Sequence, residues 1–349
     1  MAEEAPPAGR VASVTNEPLV TVVMPVHNGA ATVADALDSV LAQTYGAFEC
    51  IVVDDGSTDD SATLVRRAAE RDARIRLVAS NRRGMAAALN AGIALAATRY
   101  VARQDADDVS MPARFERQLD FLERHTEVCA VGTGASVIDD SGRPVGRFPT
   151  RHGAADVRAA LRTARATPVH GSVMMRRDTL AAAGGYREAF VAAQDFDLWL
   201  RLLERAEIDN LDEPLYAWRV SAGATYGSRR RSQLLYCGLA LVFAEERSRY
   251  GADSYTQLEA SGGDLDAFAT GYRLRGRLRA AWGELLLRGL NDAAEPARHL
   301  GLSLRHGHVR PRTLLLWIWT SLGLPWVGGR PLRVPPAGDS GGPATGVDA

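Results

Sequence analysis

Between Leu19 and about Arg103, short runs of β-branched apolar residues alternate with longer Ala-rich stretches of helical period. That alternation predicts a parallel sheet wrapped by helices. Strands are expected at Val20 to Val26, Phe48 to Val53, Ile75 to Ala79 and Tyr100 to Arg103. Helices near Thr32 to Ala42, Thr58 to Arg71 and Gly84 to Ala97 would join them. Runs such as Ile51-Val52-Val53 have no polar alternation, as strands covered on both faces require. A helix is expected from Met111-Pro112 to about Arg124, then a strand from Val128 to Ile138 and a turn at Asp140-Ser141-Gly142. The following elements look mixed: a strand from Gly171 to Met175, an amphipathic helix beginning near Asp195, and a last strand from Leu215 to Val220. Beyond Ser228 the period is helical, with apolar clusters at Leu234 to Phe243 and Leu285 to Leu290 parted by Ser261-Gly262-Gly263.

The pattern divides the chain into a disordered start (1–17), an α/β domain (18–228) with a Rossmann-like nucleotide-binding half and a mixed central sheet, a helical region (229–330) and a Pro-, Gly- and Ala-rich disordered tail (331–349). The apolar stretch Leu314 to Trp326, flanked by Arg310, Arg312 and Arg330, is shorter than the roughly 20 residues that cross a bilayer. Its pattern fits a segment lying peripherally on the inner face of the cell membrane, and equally a core helix closing the helical region.

Composition narrows the function. Of 349 residues, 41 are Lys or Arg and 42 are Asp or Glu, so a net charge of -1 offers no global attraction to nucleic acid. An anionic ligand must be held by a local site. Cys50, Cys129 and Cys237 are odd in number and widely spaced, which excludes a CxxC pair and argues against a disulfide framework. The opening MAEEAPPAGR lacks the basic and apolar regions of a signal peptide, so a cytoplasmic protein is expected.

Loops at the carboxyl ends of parallel strands converge on the crevice where such sheets bind ligands. Four polar clusters fall there: Pro25-Val26-His27-Asn28, Asp54-Asp55-Gly56-Ser57, Asn81-Arg82-Arg83-Gly84 and Asp105-Ala106-Asp107-Asp108. In the second, Ser57 or Thr58 could cap the next helix, while a carboxylate could accept an imide N–H of a base or a pair of ribose hydroxyls. In the fourth, three carboxylates in four residues repel one another unless a cation or several donors compensate them. Mg2+ or Mn2+ suits such oxygen ligands and commonly shares them with substrate phosphates; a solvated turn with Ser110 as the next N-cap is the alternative. A further acidic set, Gln194-Asp195-Phe196-Asp197, opens the helix near Asp195, where a carboxylate is either a cap or a general base.

In this order and spacing the clusters resemble glycosyltransferase family 2, the inverting transferases of the GT-A fold, over roughly Leu19 to Arg219. Val23-Met24-Pro25-Val26-His27-Asn28 is similar to the family's opening strand and PxYN-type turn, with His27 where Tyr is usual. The resemblance implies that Asp55 contacts the base, with Asp54 beside it near the ribose and Gly84 on the donor side. It implies that Asp105-Ala106-Asp107 is the DxD metal motif, with Asp107 the foremost ligand, and that Asp195 is the catalytic base, Gln194 replacing the family's Glu. Gly184-Gly185-Tyr186 resembles the turn before that helix, which puts Gly184, Gly185, His170 and Asp197 on the acceptor side. Ser221, after Trp218-Arg219-Val220, stands where many members have a metal-binding His, so water or phosphate is expected to complete the shell.

The implied activity is metal-dependent, inverting transfer of a sugar from a nucleoside diphosphate sugar, a UDP-sugar being favoured, to a hydroxyl of a saccharide or lipid-linked acceptor in cell-surface polysaccharide or glycolipid biosynthesis. Two alternatives are a sugar-nucleotide nucleotidyltransferase, for which the loop after the first strand lacks the Gly-rich basic character a triphosphate needs, and a non-catalytic nucleotide-sugar-binding subunit. An NAD-dependent oxidoreductase is a poorer reading still, because no G-x-G-x-x-G opens the first helix.

Overall fold

The computed structural model describes residues 18–81, 83–220, 226–271, 275–289, 299–300, 304–305, 326–327 and 330–331. The expectations for 1–17, for Arg82 and Ser221, for all of Leu314 to Trp326 but Trp326, and for the tail beyond 331 lie outside those residues.

The N-terminal half is the expected βα alternation: β1 (Val20–Val26), α1 (Val33–Leu41), β2 (Phe48–Asp54), α2 (Ser61–Arg71), β3 (Ile75–Ala79), α3 (Met85–Leu95) and β4 (Tyr100–Arg103). Next come β5 (Val109–Ser110), α4 (Arg114–Arg124), β6 (Val128–Ile138), β7 (Pro144–Phe148), α5 (Ala154–Arg162), a 3-10 turn (His170–Ser172), β8 (Met174–Arg176), α6 (Arg177–Ala182), α7 (Gln194–Leu202) and β9 (Glu207–Arg219). The helical region then includes α8 (Tyr226–Tyr250), α9 (Tyr255–Ala260), α10 (Leu265–Gly271) and α11 (Arg275–Gly289) among the described residues.

Among the described residues the main sheet has nine strands in the order β3-β2-β1-β4-β8-β6-β9-β5, with β7 on β6. β1 pairs in parallel with both β2 and β4, while β8 runs antiparallel to β4 and to β6. The chain therefore moves outward from β1 to β3 and then returns to β4 on the other side of β1. That reversal opens a crevice beyond the carboxyl ends of β1 and β4, the place where open α/β sheets bind ligands.

One core lies under α1, α2 and α4, built on Val22, Met24, Phe115 and Leu122. The other runs from Val101, Cys129 and Met175 of the sheet through Phe196 and Trp199 of α7 to Leu239 and Phe243 of α8. The helical region is thus continuous with the core behind α7 rather than hung beside it. Among the described residues no helix is long and apolar enough to cross a membrane.

Two boundaries differ from the sequence reading. The segment Gly171 to Met175 is split into the 3-10 turn and β8. β9 begins at Glu207 instead of Leu215, because Asp212-Glu213-Pro214 is an irregularity inside a strand whose register against β6 shifts there.

Candidate active site

A cleft of about 390 Å3 occupies the crevice, lined by Pro25, His27, Asn28, Asp55, Asp105 and Asp107 among others. Its nucleotide-side wall is stitched from three loops. Asn28 adopts φ 53°, and its Oδ1 accepts the Thr58 N–H at 2.8 Å while its own N–H donates to Ser57 Oγ at 3.0 Å. His27 Nδ1 lies 3.0 Å from the Asp55 carbonyl oxygen. Asp55 is buried and accepts three hydrogen bonds, from the Gly84 N–H at 2.8 Å, the Arg83 N–H at 2.9 Å and Ser80 Oγ at 3.0 Å. Its carboxylate thereby ties the β3–α3 loop to β2, and Gly84, at φ 93°, leads straight into α3.

Asp54 sits differently from Asp55: its carboxylate accepts the Ser57 N–H at 3.1 Å and so shapes the turn that follows β2. The capping expectation for Ser57 or Thr58 changes: Asp59 accepts the Ser61 N–H at 3.0 Å at the start of α2. Ser110, expected as an N-cap, instead donates its hydroxyl to Gln104 Oε1 at 2.6 Å.

The acidic loop after β4 is held by donors the sequence reading missed. Arg103 is 1% exposed, and its Nη1 lies 2.5 Å from Asp105 Oδ1. Tyr216 Oη accepts the Asp105 N–H at 3.2 Å, and its phenol bonds the Asp108 carboxyl. Asp108 is buried and accepts the Arg219 N–H at 2.7 Å; burial, with Asp105 and Asp107 close by, pushes its pKa up to about 8. Arg219 also donates its Nε–H to the Asp107 carbonyl at 2.7 Å. Among the described residues neither Asp107 nor Asp108 has an ion-pair partner, and of the two only Asp107 reaches the surface. Asp107 is exposed to the cleft, and desolvation followed by repulsion from Asp105 raises its pKa.

Among the described residues no three His, Cys, Asp or Glu side chains converge as a preformed metal cage. The loop nonetheless fits Mg2+ or Mn2+: both are oxygen-seeking ions that need only one or two protein carboxylates when phosphates complete the shell. Asp107 is the group whose charge is unmet, with Asp105 beside it but already paired to Arg103.

Gly171 is the contact on which this packing turns. A Cβ there would lie 2.0 Å from Tyr216 Oη and 2.7 Å from Asp105 Oδ2. Gly171→Ala should therefore displace Tyr216, lower stability by about 1 to 3 kcal/mol as overpacking does, and weaken donor binding with it. Denaturant unfolding and donor calorimetry check both; parental values in each would show that the loop tolerates the methyl.

Beside the cleft, where Gln194 Nε2 lies 3.2 Å from Sδ of the lining residue Met85, α7 opens with Ala193 at φ 52° and places half-buried Asp195 in its first turn. Burial raises the Asp195 pKa, an effect opposed first by the Phe196 N–H and also by Arg103. His170 Nε2 lies 2.7 Å from Tyr186 Oη, and its ring edge meets Trp199. Burial and then Arg103 hold the His170 pKa well below its usual value, so the imidazole is neutral at pH 7. Gly184 and Gly185, at φ 79° and 65°, end α6 and let Asn90 bracket Tyr186, accepting from its N–H at 2.9 Å and donating to its carbonyl at 2.8 Å. Their effect on the cleft runs through Tyr186.

Asp197 is 0% exposed, accepts from Arg201 Nε at 2.9 Å and lies 3.4 Å from Arg187 Nη1. Those pairs anchor α7 in the core.

The sequence profile described as glycosyl transferase family 2 matches residues 21–182. EpsE of Bacillus subtilis, named as a glycosyltransferase, is 37% identical over 214 residues, which is 59% of this chain and 75% of that protein. The amylovoran biosynthesis glycosyltransferase AmsE of Erwinia amylovora is 31% identical over 56% of this chain and 72% of its own length. Among solved structures, TarS of S. aureus in complex with UDP superposes with a TM-score of 0.55 at 17% identity, covering 87% of each chain. The mannosyltransferase PcManGT of Pyrobaculum calidifontis, bound to GDP-Man and Mn2+, superposes at 0.52 with 23% identity over 88% of this chain and 81% of its own. The superpositions place the mixed sheet and its helical extension in the GT-A fold, and the relatives place the chain, as a glycosyltransferase, in glycosyl transferase family 2.

Proposed function

We propose that the chain transfers a sugar from a nucleoside diphosphate sugar to an acceptor hydroxyl with inversion at the anomeric carbon, using a divalent cation and Asp195 as general base. The observation that carries this reading is one cleft at the β1/β4 reversal, lined by Asp107, which has no ion-pair partner among the described residues, with Asp195 at the start of α7 beside it and both within the field of buried Arg103. A UDP-sugar is the favoured donor. UDP and UDP-GlcNAc complexes of TarS and the GDP-Man complex of PcManGT support a nucleoside diphosphate sugar as the class. A saccharide or lipid-linked acceptor in cell-surface polysaccharide assembly is supported by relatives named for O-antigen and amylovoran biosynthesis.

Asp107, with Asp105 as second ligand, would hold the cation, which when bound supplies positive charge to the departing diphosphate. Arg103 keeps Asp105 in place, and Tyr216 and Arg219 fix the backbone that presents Asp107. Asp55 and Asn28 shape the wall that receives the nucleoside. Asp195, ionised, takes the proton of the acceptor hydroxyl as that oxygen attacks. His170 and Tyr186 hold each other in place at 2.7 Å.

Asp107→Ala should weaken donor binding in the presence of Mn2+ by about 10- to 100-fold, the range for losing a charge-assisted contact of roughly 1.5 to 3 kcal/mol. Calorimetry with UDP-glucose, UDP-GlcNAc and GDP-mannose, each with and without EDTA, measures it. Equal affinity of the parent under both conditions would remove the metal from the reading.

A further inference from the structure

The loop that carries the acceptor-side residues into α7 is seated on the helical region rather than on the sheet. Phe190 is 1% exposed, with its ring 5.5 Å from Tyr236 and 6.0 Å from Phe243. The Ala189 N–H points to Tyr255 Oη at 3.4 Å. Arg187 makes a two-pronged pair with Asp253, in the turn between α8 and α9, at 2.7 and 3.1 Å, and its guanidinium lies 4.4 Å from the centroid of the Tyr255 ring. The same Arg187 reaches Asp197 of α7.

Asp253 is the hub. Its carboxylate also bonds Arg247 of α8 and the Tyr255 N–H, and its side chain is only 5% exposed. Arg247 continues to Glu204, just beyond α7, at 2.8 Å. Glu246 fixes the turn from below by accepting both the N–H and the hydroxyl of Ser254. Two arginines, Arg187 and Arg247, and three acids, Asp197, Glu204 and Asp253, thus link both ends of α7 to one turn of the helical region. Buried two-pronged pairs of this kind are geometrically demanding, and their loss moves whatever they hold.

We propose that Asp253 is a positioning residue for glycosyl transfer: through Arg187 it sets the loop from Gly184 to Ala193 and the start of α7, and so the place of Asp195 in the cleft. The proposal rests on the reading of Asp195 as the base. It gives the helical region a part in the chemical step; because Glu188 of the same loop also pairs with Arg83 on the nucleotide side at 2.6 Å, donor affinity is the readout that separates the two effects. A shift of about 1 Å in a reacting group can cost on the order of 100-fold in rate.

The test uses the full chain with Mn2+ and whichever of UDP-glucose, UDP-GlcNAc and GDP-mannose the parent turns over fastest, followed by release of nucleoside diphosphate. Asp253→Asn keeps the shape and removes the charge. The expected result is a fall of about 10- to 100-fold in kcat per folded molecule, with donor Kd and donor KM within about twofold of the parent and partial recovery of kcat in Asp253→Glu. Parental kcat per folded molecule, whether or not the variant melts earlier, overturns the proposal, because a purely structural pair would lower the folded fraction alone. A matched loss of donor affinity overturns it too, since the effect would then lie on the nucleotide side. Should Asp253→Asn fail to fold, Tyr255→Leu, which removes the ring against Arg187 without burying a charge, is read by the same criteria with an expected fall of about 2- to 10-fold. Asp195→Asn in the same assay separates the two ideas: parental turnover there removes the base, whereas inactive Asp195→Asn beside fully active Asp253→Asn removes only the positioning role.

Discussion

Asp195→Asn should bind donor and Mn2+ as the parent does and lose about 10² to 10⁴ in transfer rate, the span usual for removing acid–base help. The substitution keeps the volume in the first turn of α7 and the hydrogen-bonding edge toward the Phe196 N–H, so the fold has no reason to fail. On the proposed role it removes the charge that takes the proton from the attacking hydroxyl. A pH profile tests the same assignment independently. Burial raises the Asp195 pKa above the ordinary 3.8, and a general base acts in its ionised form. The parent's kcat/KM should therefore decline as pH falls through that raised pKa, and the residual rate of Asp195→Asn should lack this acid limb. A variant with parental turnover would move the base role elsewhere. His170 would be the next residue to test, although its Nε2 is already engaged with Tyr186.

The site was legible in the sequence where strand ends place residues, and illegible where distant side chains meet. β1 to β4 follow from apolar runs with no polar alternation, and parallel pairing then puts Pro25 to Asn28, Asp55 and Asp105 to Asp107 on one crevice without any further information. Arg103 ends a fully buried strand, and an arginine in such a place needs an acid to face. That was the available sign of its pairing with Asp105. Tyr216 and Arg219 carried no comparable sign. They reach the acidic loop because β9 pairs with β5, which follows that loop, and with β6, a pairing with a register shift at Gly134 that no local period reveals. Asp54 and Asp55 are adjacent acids of similar burial, and only the fold of the β3–α3 loop decides that Asp55 lines the cleft while Asp54 closes a turn.

Asp197 is the sharpest case of this limit. Two residues after Asp195 on a helix of 3.6 residues per turn, it points about 200° away, so both cannot face one substrate. Its partner Arg201 is four residues on, a spacing visible in the sequence, but Arg187 comes from the preceding loop and is itself held by Asp253. With the carboxylate 0% exposed and shared by two guanidiniums, Asp197→Asn removes one partner of a buried ionic cluster and leaves the others under-compensated. The expected loss is about 3 to 5 kcal/mol of stability, the range for breaking such pairs from one side. That is a large fraction of the roughly 5 to 15 kcal/mol that folded domains have in total. Denaturant unfolding measures it, with donor calorimetry on the folded fraction as control. Asp195→Asn and Asp197→Asn should thus separate cleanly: the first silent in unfolding and severe in turnover, the second severe in unfolding and mild in turnover per folded molecule. An Asp197→Asn protein that unfolds like the parent but transfers poorly would put this carboxylate back on the reaction side of α7, against the ionic geometry that now holds it in the core.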